Sequence, residues 1–225
     1  MLVSHTHKFI YLKTKKTGGT SVEAYLERFC LPEDITDYGG HDREQTISEQ
    51  GIVGSRHGGR NIKEDVYYNH MPAAKVKELV GDDIWNTYTK ICVMRNPWDR
   101  MVSKFWWQLQ PQLRRYEDYP FSEVREYFEW FIEHKPRWLA DDLDVFTIDG
   151  EVIIDDVICY EDFDNEVARV CAKFGETYDP AEMPKHKSGV RKRSNPYQDY
   201  YTNPETKDIV SEAHSIWISH FGYTF

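Results

Sequence analysis

The chain has 225 residues, 40% hydrophobic and 29% charged, a composition ordinary for one soluble domain with room for a real core. Its net charge of −10 argues against a nucleic-acid binder, so any basic patch is local. No signal peptide or membrane span is visible, and Cys30, Cys92, Cys159 and Cys171 lack metal-ligand spacing and read as reduced thiols, so a cytoplasmic protein without a metal site is expected.

The stretch Lys8–Ser21 carries the first chemistry. Phe9, Ile10, Tyr11 and Leu12 read as a buried strand, followed by Lys13, Lys15, Lys16 and a Gly18-Gly19 pair. Thr20 and Ser21 then open a helix marked by Val22, Ala24, Tyr25, Leu26 and Phe29, with Glu23 in its first turn. Strand, glycine turn and helix N-terminus together make an anion cradle. The glycines let N–H groups point inward, the helix dipole adds positive potential, and Thr17, Thr20 and Ser21 offer hydroxyls. Lys16 is the natural cation for a phosphate-like group. The order is not that of a Walker A loop, whose lysine follows the glycines. A glycine turn with solvated lysines is the bland alternative.

The helix ends near Cys30, with Pro32 beyond it, and residues 31 to 65 form a polar, glycine-dotted excursion. His41, Arg43, Arg56, His57 and Arg60 are its chemically interesting members. Val66 to Asn69 are extended. Pro72 starts a helix to Val80 that Gly81 stops, which puts His70 at a strand-to-helix junction. Asp82 or Asp83 caps a short helix through Trp85 and Tyr88. Thr89 to Arg95 is a second buried strand, after which Asn96 caps and Pro97 begins a helix bearing Met101, Val102, Phe105, Trp106 and Leu109. Arg95 thus ends a strand, the edge where open parallel sheets bind ligands. Ser103 lies about two helical turns in, and an arginine with a helical serine can clamp one phosphate from two sides.

Trp106 to Leu139 is aromatic and basic, with a helical face of Phe121, Val124, Phe128 and Phe131, Ser122 as its cap and an end near Pro136. Arg114, Arg115, Arg137 and Trp138 are candidate acceptor contacts set against a plain packed helix. Asp149-Gly150 is a hairpin signal between Val145–Ile148 and Glu151–Asp155. One or two strands follow between Val152 and Tyr160. A helix from Asp162 shows Val167, Val170 and Cys171 on one face, ended by Gly175. Lys185, Lys187, Arg191, Lys192 and Arg193 make a basic loop suited to folding over a polyanion. Asn203-Pro204 opens the last helix, with Ile209, Val210, Ala213, Ile216 and Trp217 inward.

Lys16–Ser21, K-T-G-G-T-S, resembles the 5′-phosphosulfate loop of sulfotransferases that use 3′-phosphoadenosine 5′-phosphosulfate (PAPS) as donor. Arg95–Ser103, R-N-P-W-D-R-M-V-S, resembles that family's 3′-phosphate motif. Asn69–Ala74 and the VIID…CYEDF stretch are also similar to the family, and the Y-x-x-Y-Y-T…F-G-Y-x-F ending resembles its carbohydrate-type branch. The resemblance implies a single domain over residues 1–225. Its fold would be a three-layer α/β sandwich with a mainly parallel central sheet and P-loop-like topology. It also implies transfer of a sulfuryl group from PAPS to an acceptor hydroxyl on a sugar or small metabolite, with no metal. Lys16 and the N–H groups of Gly18 to Ser21 would stabilise the leaving phosphate, with Thr17 and Thr20 in the same cradle. Arg95 and Ser103 would hold the 3′-phosphate, and Arg191 and Lys192 would cover the donor. His70 would be the base, with Glu64, Asp65, His57 and His41 as rivals. Two departures stand out: Cys159 where an arginine is common, and Ser21 where small-molecule sulfotransferases carry a tryptophan. The second leaves the adenine to another ring, such as Tyr197. A P-loop-type metabolite kinase using ATP and Mg²⁺, or a non-catalytic nucleotide-binding protein, are the competing readings. The acceptor and the oligomeric state are left open.

Overall fold

A computed structural model describes residues 1–57, 65–109, 119–135, 138–140, 142–186, 189–191 and 193–225. Arg60, Glu64, Arg114, Arg115, Arg137, Lys187 and Lys192 therefore lie outside the described residues. The chain begins with β1 (Leu2–Ser4), β2 (Phe9–Tyr11) and α1 (Gly19–Leu26), then β3 (Thr46–Ile47) and β4 (Gly51–Val53). Next come α2 (Ala73–Val80), α3 (Asp82–Thr87), β5 (Thr89–Met94), α4 (Pro97–Gln108) and α5 (Phe121–His134). The rest is α6 (Leu143–Phe146), β6 (Thr147–Ile148), β7 (Glu151–Val152), β8 (Asp156–Cys159), α7 (Phe163–Lys173), α8 (Pro204–Ala213) and α9 (Ser215–Phe221). Contacts divide these into two units, Met1–Met94 with Asp142–His186, and Arg95–Asp141 with Lys187–Phe225.

The first unit holds a six-stranded mixed sheet of order β3-β4-β1-β2-β5-β8. Its core is parallel: β2 pairs with β5 and β5 with β8, in register Ile10 to Lys90 and Val93 to Ile158. The β-branched, apolar run of β5 explains its central place, since such residues fill a sheet buried on both faces. The expected α/β architecture is present. An antiparallel edge of β1, β3 and β4 extends it. The sequence did not signal those strands, because two or three residues are too short to display a period of two. Phe9, Ile10, Leu12, Ile91 and Val93 are fully buried, each such side chain contributing about 1.5–3 kcal/mol. Val167, Val170 and Cys171 of α7 pack into the same core as Phe9 and Val93. Asp149 and Gly150 both take left-handed φ, the turn that a two-residue hairpin between β6 and β7 demands. Val145 and Phe146 prove helical rather than extended, closing α6 just before that hairpin.

The second unit is helical. Phe105, Trp106, Val124, Phe128, Tyr200 and Val210 share one core. Trp106 donates its indole N–H to Tyr200 Oη at 3.1 Å, so this large buried ring leaves no stranded donor. Two expectations are corrected here. Ser122 lies within the first turn of α5, and Pro120 holds the cap position without a side-chain bond. The last helix breaks at His214, which ends α8 and starts α9.

Candidate functional site

In the first unit the loop after β2 is fixed by its own side chains. Gly18 has φ of 81°, and a Cβ there would meet the Tyr160 ring at 3.0 Å. Gly19 has another reason: a Cβ would fall 2.8 Å from the Tyr11 hydroxyl, which donates to the Gly19 carbonyl at 2.9 Å. Two glycines thus let the chain turn tightly into α1 while pressed against β2. Thr14 Oγ1 donates to the Val93 carbonyl at 2.5 Å, so the 2.9 Å contact between Thr14 and Thr17 must use the Thr17 proton. Thr17, fully buried, is therefore spent inward and has its main chain to offer an anion. Ser21 Oγ accepts from the His186 N–H at 3.1 Å, which leaves its own O–H to donate. The Thr20 hydroxyl makes no hydrogen bond among the described residues. The Lys15 N–H donates to Asp142 Oδ2 at 2.6 Å, a buried carboxylate far along the chain that the sequence gave no reason to link to this loop.

Lys16 and His70, the two residues expected to do chemistry, both hold left-handed φ, at 63° and 56°. Such conformations cost on the order of 1–3 kcal/mol for non-glycine residues and collect at functional sites. His70 Nδ1 lies 2.9 Å from the Lys13 carbonyl. A carbonyl cannot donate, so Nδ1 carries the proton and Nε2 presents a lone pair. Burial, and then the Lys13 charge, bring the His70 pKa down to about 3, against the opposing pull of that hydrogen bond, Glu23 and Asp142. The rivals are differently placed. His57 Nε2 faces Asp65 Oδ2 at 3.3 Å, so two of them pair with each other, and His41 sits exposed with Asp42 at 2.9 Å.

Beneath the loop lies a buried charge network that the sequence did not reveal. Lys13 is almost wholly buried and pairs with Glu23 at 2.8 Å, so it is no solvated lysine. Arg56, one of the chemically interesting members of the glycine-dotted excursion, is buried, 2.6 Å from Glu27 and 3.5 Å from Glu23. It also donates to the Gly40 carbonyl at 2.8 Å, while Glu27 accepts the Gly39 N–H at 2.6 Å. Burial alone would raise the Glu23 carboxyl, but Lys13, the Met1 nitrogen and Arg56 outweigh it and hold the group well below the usual carboxylate range. A depressed carboxylate stabilises the fold above its ordinary pKa and loses that contribution as pH falls. Glu23→Gln removes the buried carboxylate that Lys13, the Met1 nitrogen and Arg56 share and is expected to destabilise the fold by about 3 kcal/mol. Urea unfolding checks this, and a loss under about 1 kcal/mol would mean that the cations find other partners.

In the second unit Arg95 directly follows the last residue of β5. Asn96 caps α4 as the sequence predicts, its Oδ1 accepting the N–H groups of Trp98 at 3.1 Å and Asp99 at 3.3 Å. Arg95 donates through Nε at 2.7 Å and Nη2 at 2.6 Å to Asp99 Oδ2, and Arg191 donates through Nη1 at 2.8 Å to Asp99 Oδ1. One carboxylate thus gathers two of the expected donor-binding arginines. Ser103 lies one helical turn beyond Asp99 on the same face and makes no side-chain hydrogen bond among the described residues. Arg191 Nε is buried with no hydrogen-bond partner among them either. Tyr197 Oη accepts from Asn96 Nδ2 at 3.2 Å, beside the same motif. The exposed Trp138 ring lies 6.0 Å from Lys104 Nζ. Asp99 was missed, although its spacing of four residues from both Arg95 and Ser103 could have flagged it.

The first unit thus sets a glycine turn and a helix N-terminus in the loop that holds a neutral histidine, and the second gathers two arginines on one carboxylate at the start of a helix. The chain belongs to the sulfotransferase family, matching that family over residues 1–144, and is a PAPS-dependent sulfuryl transferase. Arg191 lies beyond the matched residues. An uncharacterized protein from Archaeoglobus fulgidus is 26% identical over 110 residues, covering 47% of this chain and 82% of that relative. No solved structure matches. Among the described residues no helix is long and apolar enough to cross a membrane, and no group of His, Cys, Asp and Glu side chains could hold a metal ion.

Proposed function

We propose that the acceptor is a hydroxyl on a sugar or small metabolite, and that His70 and Lys16 carry the transfer. The acceptor oxygen forms a bond to sulfur as the bond from sulfur to the 5′-phosphate oxygen breaks, and that electron pair leaves with the phosphate. His70 Nε2 takes the acceptor proton. Lys16, with the N–H groups of Gly18 to Ser21 and the hydroxyls of Thr20 and Ser21, stabilises the charge that builds on the phosphate. Arg95, Ser103 and Arg191 hold the 3′-phosphate without entering the chemistry, Lys192 lends its charge to the same polyanion, and Tyr197 stacks on the adenine.

The observation that carries this reading is the hydrogen bond from His70 Nδ1 to the Lys13 carbonyl, in the loop that holds the anion cradle. It fixes the tautomer that leaves Nε2 as the basic nitrogen and ties the ring to a residue three positions before Lys16, while burial keeps the ring neutral. Calorimetry with adenosine 3′,5′-bisphosphate tests the donor assignment, and incubation with labelled donor and a panel of sugars and metabolites tests the acceptor. Arg95→Ala is expected to weaken the bisphosphate on the order of tenfold to a hundredfold, the worth of a lost charge-assisted fork, while adenosine 5′-monophosphate changes little. Equal weakening of both nucleotides would remove Arg95 from the 3′-phosphate.

A further inference from the structure

We infer that Asp99 is the positioning residue of the 3′-phosphate site: it holds the guanidiniums of Arg95 and Arg191 in the arrangement that selects a 3′-phosphorylated nucleotide. This rests on reading Arg95 as a 3′-phosphate ligand. Each oxygen of the Asp99 carboxylate serves a different arginine, Oδ2 taking Arg95 and Oδ1 taking Arg191. Two guanidiniums this close repel one another, and the carboxylate between them removes that repulsion. Arg191 gains a second anchor, since its Nη2 donates to the Asn195 carbonyl. With Nη1 and Nη2 both engaged, its buried Nε is an N–H without a partner among the described residues. An orphan guanidinium N–H is costly unless a ligand satisfies it, and a phosphate oxygen is the natural acceptor. Asp99 is itself pinned, because its N–H is bound by the Asn96 cap in the first turn of α4. Ser103, four residues on along the same face, adds an unused hydroxyl. The carboxylate thus fixes the donors while leaving the cluster with one net positive charge.

Positioning and simple electrostatics predict opposite results for Asp99→Asn. Removing a negative charge beside two arginines should tighten binding of any polyanion if charge alone mattered. If Asp99 orders the arginines, the same change frees them to repel and rotate, and the 3′-phosphate loses its preformed fork. On the full chain, calorimetry with adenosine 3′,5′-bisphosphate and with adenosine 5′-monophosphate separates the two cases. The expected result for Asp99→Asn is about tenfold weaker binding of the bisphosphate, with the monophosphate within about twofold of the parent. Asp99→Glu keeps the charge on a longer arm and is expected to recover part of the loss, which also guards against a variant that folds poorly. Unchanged or tighter bisphosphate binding in Asp99→Asn, with an unfolding midpoint near the parent's, overturns the inference. If Arg95→Ala is selective for the bisphosphate and Asp99→Asn is not, the positioning role alone falls. If Arg95→Ala is not selective, the 3′-phosphate reading falls and takes this one with it.

Discussion

Lys16→Ala is expected to lower kcat by about a hundredfold to a thousandfold, the usual cost of removing one preorganised donor aimed at developing charge. The effect should fall on kcat more than on donor affinity. The charge that Lys16 meets grows as the bond from sulfur to the phosphate oxygen breaks, so its contribution is larger in the transition state than in the bound donor. The φ of 63° at Lys16, a conformation that collects at functional sites, is in keeping with the proposed role. Lys16→Met, which keeps the length and removes the charge, should fail about as badly as alanine. Steady-state kinetics with the unfolding midpoint as control decide the matter. A variant with near-normal kcat would remove Lys16 from the chemistry and leave the helix N-terminus to act alone.

What could be read from the sequence was local. A strand that stops at a glycine pair, an Asn-Pro helix start and an Asp-Gly hairpin are each set by dihedral preferences of two or three neighbouring residues. The loop, α4 and the β6–β7 turn followed from those preferences. What could not be read was carried by long-range charge. Glu23, expected only as an early residue of the first helix, is buried between Lys13 and Arg56. Nothing local distinguishes a solvated helical glutamate from one that closes a network with an arginine more than thirty residues away. Asp142 is a similar case, because its bond to the Lys15 N–H joins positions 127 residues apart. Arg56 is the converse case: it stands in a polar, glycine-dotted stretch, yet its side chain turns inward to two carboxylates. Charges pair in space, and the sequence order of their partners carries almost no trace of it.

The same network shapes the second large effect. His70→Ala is expected to cost on the order of a hundredfold or more in turnover, as general-base deletions do. Free imidazole in the assay should restore part of it. A loss of a few-fold would move the role to His57 or His41. The pH profile makes the assignment sharper. With its pKa brought down to about 3, His70 in the free enzyme stays neutral across the neutral and mildly acidic range. kcat/KM should therefore show no acid limb from this residue between about pH 5 and 8. A bound polyanionic donor favours the imidazolium, so the acid limb of kcat should lie above that of kcat/KM. An acid limb in kcat/KM near pH 6.5, abolished in His70→Ala, would mean that His70 is better solvated than its surroundings imply. Stability carries the same signature with a definite sign. The unfolded chain binds a proton at His70 near pH 6.5 and the folded chain resists it until about pH 3, so the fold loses stability as pH falls through that interval. His70→Ala removes the group and should flatten this part of the stability curve. Comparing urea midpoints of parent and variant at pH 7 and pH 4.5 isolates the term: the gap between them should narrow at the lower pH, and a gap that stays constant would show that the folded state does not hold His70 neutral.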